Sequence, residues 1–95
     1  MLNLDYHNIK IEKSESTNQI VIKGEVTNNS GRSYSAVAVR VMLFIKNITI
    51  ANTVFMVNGL LNGATKAFEK LVEELEYEQV AKDITRYEIY TDSCY

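Results

Sequence analysis

Residues 20–44 read IVIKGEVTNNSGRSYSAVAVRVMLF, and the pattern inside this stretch decides the fold. Ile20, Ile22, Gly24 and Val26 alternate with Val21, Lys23, Glu25 and Thr27, the two-residue period of a strand with one face buried and one face wet. Asn28–Ser33 is dense in residues that accept turn geometry, and Gly31 is the position expected at positive φ. The run from Tyr34 to Lys46 then places Val37, Val39, Val41, Leu43 and Ile45 on one face, and its β-branched content favours a strand over a helix. Its other face is not polar, because Met42 and Phe44 lie there.

Outward from this pair the chain continues in the same style. Leu4–Lys13 alternates loosely, with His7, Ile9 and Ile11 assigned to one side, and Ser14–Asn18 is a polar turn. Lys46–Asn47 turns the chain into a second β-branched run, Ile48–Val57, in which VFMV (54–57) is apolar on both faces. Asn58–Gly63 holds two Asn-Gly pairs and is expected to be a loop. Arg86–Asp92 alternates again, with Tyr87 placed in the core beside Ile89 and Tyr90 facing out. Ala64–Ile84 is the difficult segment. Its composition favours helix, and Phe68, Leu71, Val72 and Leu75 recur at helical spacing.

At VIKGEVTNNS the sequence begins to resemble the FxLYD family of bacterial domains. Gly24-Glu25-Val26-Thr27-Asn28 is similar to the family's Gly-x-Val-x-Asn strand, and Val41-Met42-Leu43-Phe44-Ile45 to its name-giving strand, with Leu43 and Phe44 matching. Gly63 with Phe68 resembles a later loop element, where Asn62 replaces the family's proline, and Tyr87–Thr91 resembles the final strand. The likeness covers residues 20–91. It implies one domain over residues 1–95, excised from a longer protein or standing alone. It further implies an all-β, immunoglobulin-like antiparallel sandwich of about six to seven strands, typical of bacterial cell-envelope proteins and without enzymatic activity. Under it, Thr65–Leu75 becomes a strand and Tyr77–Lys82 a short helical turn. Strand-like runs at regular spacing point to a sandwich or barrel independently. The expected core is Ile20, Ile22, Val26, Val37, Val39, Val41, Leu43, Phe68 and Ile89. Gly24 is expected to allow close approach across the sheets, and Asn28 to bond backbone at the strand end.

Composition narrows the function. With 95 residues the chain buries roughly 60–70% of its unfolded surface without metals or disulfides. A formal net charge of −2, with ten scattered Lys and Arg, argues against nucleic-acid binding. No apolar run is long enough to insert in a membrane, and the start has no secretion-signal pattern, so an envelope location rests on the family resemblance. His7 with Asp5 is half of an acid–base pair that lacks a nucleophile motif. Cys94 sits in a terminal TDSCY expected to fray, beside the wrong charge for a reactive thiol. The acidic cluster from Glu69 to Asp83 is interrupted by lysines and reads as a solvated face, not a cation loop. No cofactor or metal site is expected.

What remains is a surface. Met42, Phe44, Phe55 and Val57 are the candidate interaction residues, because two neighbouring strands with two apolar faces need a second cover. The preferred cover is internal, the Leu75–Ile84 segment folded over Phe44 and Phe55. The other is a protein partner or second copy. The expected role is a non-catalytic interaction or spacer module of an envelope protein, the alternative a stand-alone cytoplasmic binding protein that dimerises through its apolar sheet face.

Overall fold

The computed structural model describes residues 3–95, which form two antiparallel three-stranded sheets. Strands β1 (Leu4–Lys13), β2 (Gln19–Asn28) and β5 (Thr65–Glu76) make sheet A in the order β1-β2-β5. Strands β3 (Tyr34–Ile45), β4 (Ile48–Leu60) and β6 (Arg86–Cys94) make sheet B in the order β4-β3-β6. One helical turn, α1 (Tyr77–Val80), runs into a 3-10 turn at Ala81–Asp83. The all-β expectation holds, and so does the assignment of residues 65–82 to a strand followed by a short helical turn.

The core lies between the central strands. Ile20, Ile22 and Val26 of β2 face Val37, Val39, Val41 and Leu43 of β3, and each is at most 1% exposed. Phe68 and Ile89, from flanking strands, are partly buried against them. Burying one such aliphatic side chain is worth roughly 1.5–3 kcal/mol, so the β2–β3 pair dominates the stability.

Four register shifts, one in each strand pairing, decide which residues share a face, and the one between β3 and β4 follows Leu43↔Ala51 and leaves Ile50 of β4 unpaired. On β1 the register jumps between His7↔Glu25 and Lys10↔Lys23, with Asn8 at φ 55°. A bulge inserts one residue and reverses parity beyond it. Tyr6, Ile9 and Ile11 therefore point inward and His7 outward, which corrects the assignment of His7 to the side of Ile9 and Ile11. On β5 the register slips between Ile20↔Val72 and Gln19↔Glu76, which brings Leu75 back to the core after Val72. Phe68 and Val72 share the inward parity, Leu71 pairs with Val21 on the other face, and the slip adds Leu75, which together give a strand apolar residues at helix-like spacing. On β6 the shift lies between Ala38↔Ser93 and Val39↔Thr91.

Further expectations are adjusted. β4 runs through Asn58 and Gly59 to a fully buried Leu60, so the loop is shorter than the two Asn-Gly pairs imply. Cys94 does not fray: it belongs to β6, and Tyr95 donates its N–H to the Ala36 carbonyl at 2.8 Å. Tyr87 keeps the parity of Ile89 but is 43% exposed, because β6 is an edge strand.

Gly24 has a local role. A Cβ there would meet Ile9 Cδ1 at 2.4 Å and Phe68 Cζ at 2.8 Å, both from strands of its own sheet. The glycine makes room for neighbours that lean over it within sheet A, not for an approach between sheets. Asn28 acts as expected. Fully buried, it donates from Nδ2 to the carbonyls of Arg32 (2.6 Å) and Leu60 (3.1 Å), and its Oδ1 accepts from Ser30 N–H and Oγ–H. One side chain thereby joins the end of β2 to the end of β4.

Candidate functional site

The outer faces of the two sheets differ in chemistry. On sheet A the outward residues form a polar ladder across three strands. Lys23 on β2 sits between Glu12 of β1 (3.2 Å) and Glu69 of β5 (3.5 Å), and these carboxylates, Glu12 first, hold its ammonium pKa above the usual lysine range. One step along, His7 Nε2 meets Thr27 Oγ1 at 2.9 Å, and Thr27 Oγ1 meets Thr65 Oγ1 at 2.7 Å. Glu25 lies 3.7 Å from His7 Nδ1, beyond hydrogen-bond length.

A hydroxyl, an imidazole and a carboxylate are thus neighbours, and it is Glu25, not Asp5, that approaches the histidine. Their arrangement is that of cross-strand pairs. Thr27 is shared with Thr65, and the group lies on an open sheet face with no convergent donors to hold a developing oxyanion. Such a ladder aligns β1, β2 and β5. Among the described residues no three His, Cys, Asp or Glu side chains converge as a metal site. The acidic residues Glu69, Glu73, Glu74, Glu76, Glu78 and Asp83 are all exposed, as a solvated face requires.

Sheet B presents the opposite surface. Pairing of β3 with β4 and β6 puts Met42, Val54, Met56 and Tyr90 on its outer face. Val54, Met56 and Tyr90 are 37%, 47% and 42% exposed. The Tyr90 hydroxyl points toward Met42 Sδ at 4.0 Å. One charged rung crosses the strip: Arg40 donates from Nε to Asp92 Oδ1 (3.1 Å) and from a terminal nitrogen to Asn52 Oδ1 (2.6 Å). Phe44 also faces outward but is only 6% exposed, because the Arg86 guanidinium lies 3.8 Å above its ring centre.

The four residues picked from the sequence therefore do not share a face. Met42 and Phe44 lie on the outer surface of sheet B. Phe55 and Val57 pair with Val39 and Val37 and turn inward. Val57 is 4% exposed, and Phe55 stacks at 5.1 Å on Phe68 of the other sheet. The exposed apolar residues of β4 are Ile48 at its start and, past the bulge, Val54 and Met56, which take the parity opposite to Phe55 and Val57. The proposed internal cover is corrected as well. Leu75, Tyr77, Val80 and Ile84 pack against the interior cluster and close one end of the sandwich, while Arg86 covers Phe44 and Phe68 covers Phe55.

At the opposite flank, Tyr6 of β1 and Cys94 of β6 lie near each other inside the sheet-to-sheet seam. Burial pushes the Tyr6 phenol above its usual range, opposed by its hydrogen bond to Thr91, and burial likewise raises the Cys94 thiol. A raised thiol is a weak nucleophile at neutral pH. No helix among the described residues is long and apolar enough to cross a membrane. Comparison with protein-family models, with curated proteins and with solved structures gives no match for this chain.

Proposed function

We propose that this chain is a non-catalytic interaction or spacer module of a bacterial cell-envelope protein, with an immunoglobulin-like topology similar to that of FxLYD domains. The observation that carries the reading is the contrast between the outer faces. Sheet A is closed by a polar ladder, whereas sheet B offers Met42, Val54, Met56 and Tyr90 on a rigid surface to a protein partner. The strand order supports the topology. Lettered A, B, C, C′, E and F along the chain, the sheets are A-B-E and C′-C-F, an order in keeping with an immunoglobulin-like sandwich, with no seventh strand among the described residues. The engagement of His7, Thr27 and Thr65 in cross-strand hydrogen bonds supports a binding role over a catalytic one.

The test is location together with gene context. Antibody detection in fractionated cells of the source organism, combined with the complete reading frame, should place the chain outside the cytoplasm behind a lipoprotein signal or membrane anchor. Recovery in the cytosol as a free-standing product of this length sinks the envelope role. It leaves the second reading, a cytoplasmic binding protein that uses the same sheet as a dimer surface.

A further inference from the structure

Strand edges are where a sandwich module either avoids or accepts partners, and three of the four here carry protection. β1 is bulged at Asn8, which has φ 55°. β5 places Lys66 and Lys70 at inward parity opposite Val26 and Ile22. β6 carries Arg86, Glu88 and Asp92 and is bulged near its end. β4 has none of these devices over its central stretch. It has no charged side chain anywhere in Ile48–Leu60, pairs with β3 without a break from Ala51 to Asn58, and is apolar outward at Val54 and Met56.

The direction of the β4 backbone follows from its neighbour. The Ala36 and Phe44 carbonyls of β3 accept N–H groups of Tyr95 and Thr85, so even-numbered residues of β3 bond toward β6. Odd-numbered Val37 to Leu43 then bond toward β4, through its odd-numbered residues. Asn52, Val54 and Met56 are left with N–H and C=O pointing to the free edge. Asn58 agrees, since its outward carbonyl accepts from Lys66 Nζ, which closes the edge at that end.

We propose that β4 pairs antiparallel with β4 of a second copy of this chain, on a two-fold axis at Val54, and that this edge is the module's self-association site. The inference rests on the reading of the chain as an interaction module. A second copy fits because an uncharged strand meets itself without like-charge contact. Centring on Val54 pairs Asn52 with the partner's Met56 and Val54 with the partner's Val54, so all three outward-facing residues are used. Moving the axis to Phe55 requires the Asn58 backbone, which Lys66 occupies, and moving it to Thr53 requires Ile50 at the β4 bulge. The product is a six-stranded sheet with one continuous outer apolar strip and C2 symmetry. A single edge pairing falls short of the ~1,200–2,000 Å² of a tight interface, so the dimer is weak and concentration-dependent.

Sedimentation equilibrium of the full chain between micromolar and millimolar concentration should show a reversible doubling of mass. Val54→Pro removes an N–H that serves no bond within the sandwich and should weaken association at least tenfold with an unchanged far-UV spectrum. Val54→Lys, which sets two ammonium groups face to face, should do the same if the proline variant does not fold. In a Cys94→Ser background, Val54→Cys should form an intermolecular disulfide on oxidation, because bonded antiparallel partners sit ~5.5 Å apart at Cα, within disulfide reach. Met56→Cys, offset from its own copy by four residues along the strand, should not. A chain that stays monomeric at millimolar concentration overturns the proposal, and so does a folded Val54→Lys variant that dimerises like wild type. A monomer found outside the cytoplasm removes the pairing while the module reading stands, and a β4-dependent dimer found in the cytosol does the reverse.

Discussion

The Tyr6 hydroxyl on β1 meets the Thr91 hydroxyl on β6 at 2.7 Å, which ties strands of different sheets 85 positions apart in the chain. β1 and β6 otherwise touch little, so this bond closes that flank of the sandwich, while the Tyr6 ring also packs edge-on against Phe68 of its own sheet (6.4 Å between ring centres). Tyr6→Phe keeps the ring and removes the bond. We expect a loss of about 0.5–1.5 kcal/mol in urea unfolding. A double-mutant cycle with Thr91→Val should return a coupling of the same size. Additive single effects would mean that the two hydroxyls merely lie close.

The same flank makes the fold sensitive to alkali. The Tyr6, Cys94 and Lys23 pKa values are all raised: Tyr6 and Cys94 chiefly by burial, Lys23 chiefly by its bond to Glu12. A group whose pKa is higher folded than unfolded binds its proton more tightly in the native state. Its contribution is full below the unfolded pKa and is lost as pH rises through the folded one. Thermal midpoints should therefore fall from about pH 9 upward. In Tyr6→Phe/Cys94→Ser the fall should be shallower. The thiol should also react with iodoacetamide more slowly in the folded chain than in urea at the same pH, and equal rates would contradict its burial.

Asn28 and Gly24 are the two positions of β2 at which substitution is costliest for a local reason. Asn28→Ala orphans the buried Leu60 carbonyl and releases Ser30, at a cost of about 2–3 kcal/mol. Gly24→Ala drives a methyl into Ile9 and Phe68 and should cost about 1–3 kcal/mol despite the better strand propensity of alanine. Pairing with Phe68→Leu, which clears the ring, should recover part of the alanine cost. If Gly24→Ala is neutral alone, Ile9 and Phe68 move aside freely and the glycine has no packing role.

Much of this architecture was legible because local patterning and the final structure agree at the centre. β2 and β3 show their parity in sequence, and all seven residues of their expected core are buried. What escaped was parity at the edges. Bulges at Asn8, in β4 beside Ile50 and between Val72 and Glu76 exchange inward and outward positions, and nothing in the residue types announces the extra residue. Phe55 and Val57 share with Met42 and Phe44 only a place in strands apolar on both faces. A strand apolar on both faces does not declare which face meets its neighbour's, and that depends on the register Val39↔Phe55 and Val37↔Val57. The correct surface residues, Val54 and Met56, lay in the same VFMV stretch. The absence of charge across β4 was the available signal, and it marks the edge as much as the face.

Phe44 offers the decisive comparison between face and edge. Its ring lies on the outer surface of sheet B, shielded by Arg86 and nearly out of water, yet it belongs to neither the interior cluster nor the free edge of β4. Phe44→Ser should cost roughly 2–4 kcal/mol, since a large buried aromatic is lost and a hydroxyl is left beneath a guanidinium. Arg86→Ala should cost less, about 0.5–1 kcal/mol, the scale of an exposed cation–π contact. The two are in contact, so their effects cannot add: in the Phe44→Ser background, Arg86→Ala should cost almost nothing more. At a concentration where both proteins remain folded, Phe44→Ser should leave the dimerisation constant within a few-fold of wild type, because Asn52, Val54 and Met56 are untouched. If instead stability is retained and self-association disappears, copies meet through the face of sheet B, and the β4 edge is not where this module joins itself.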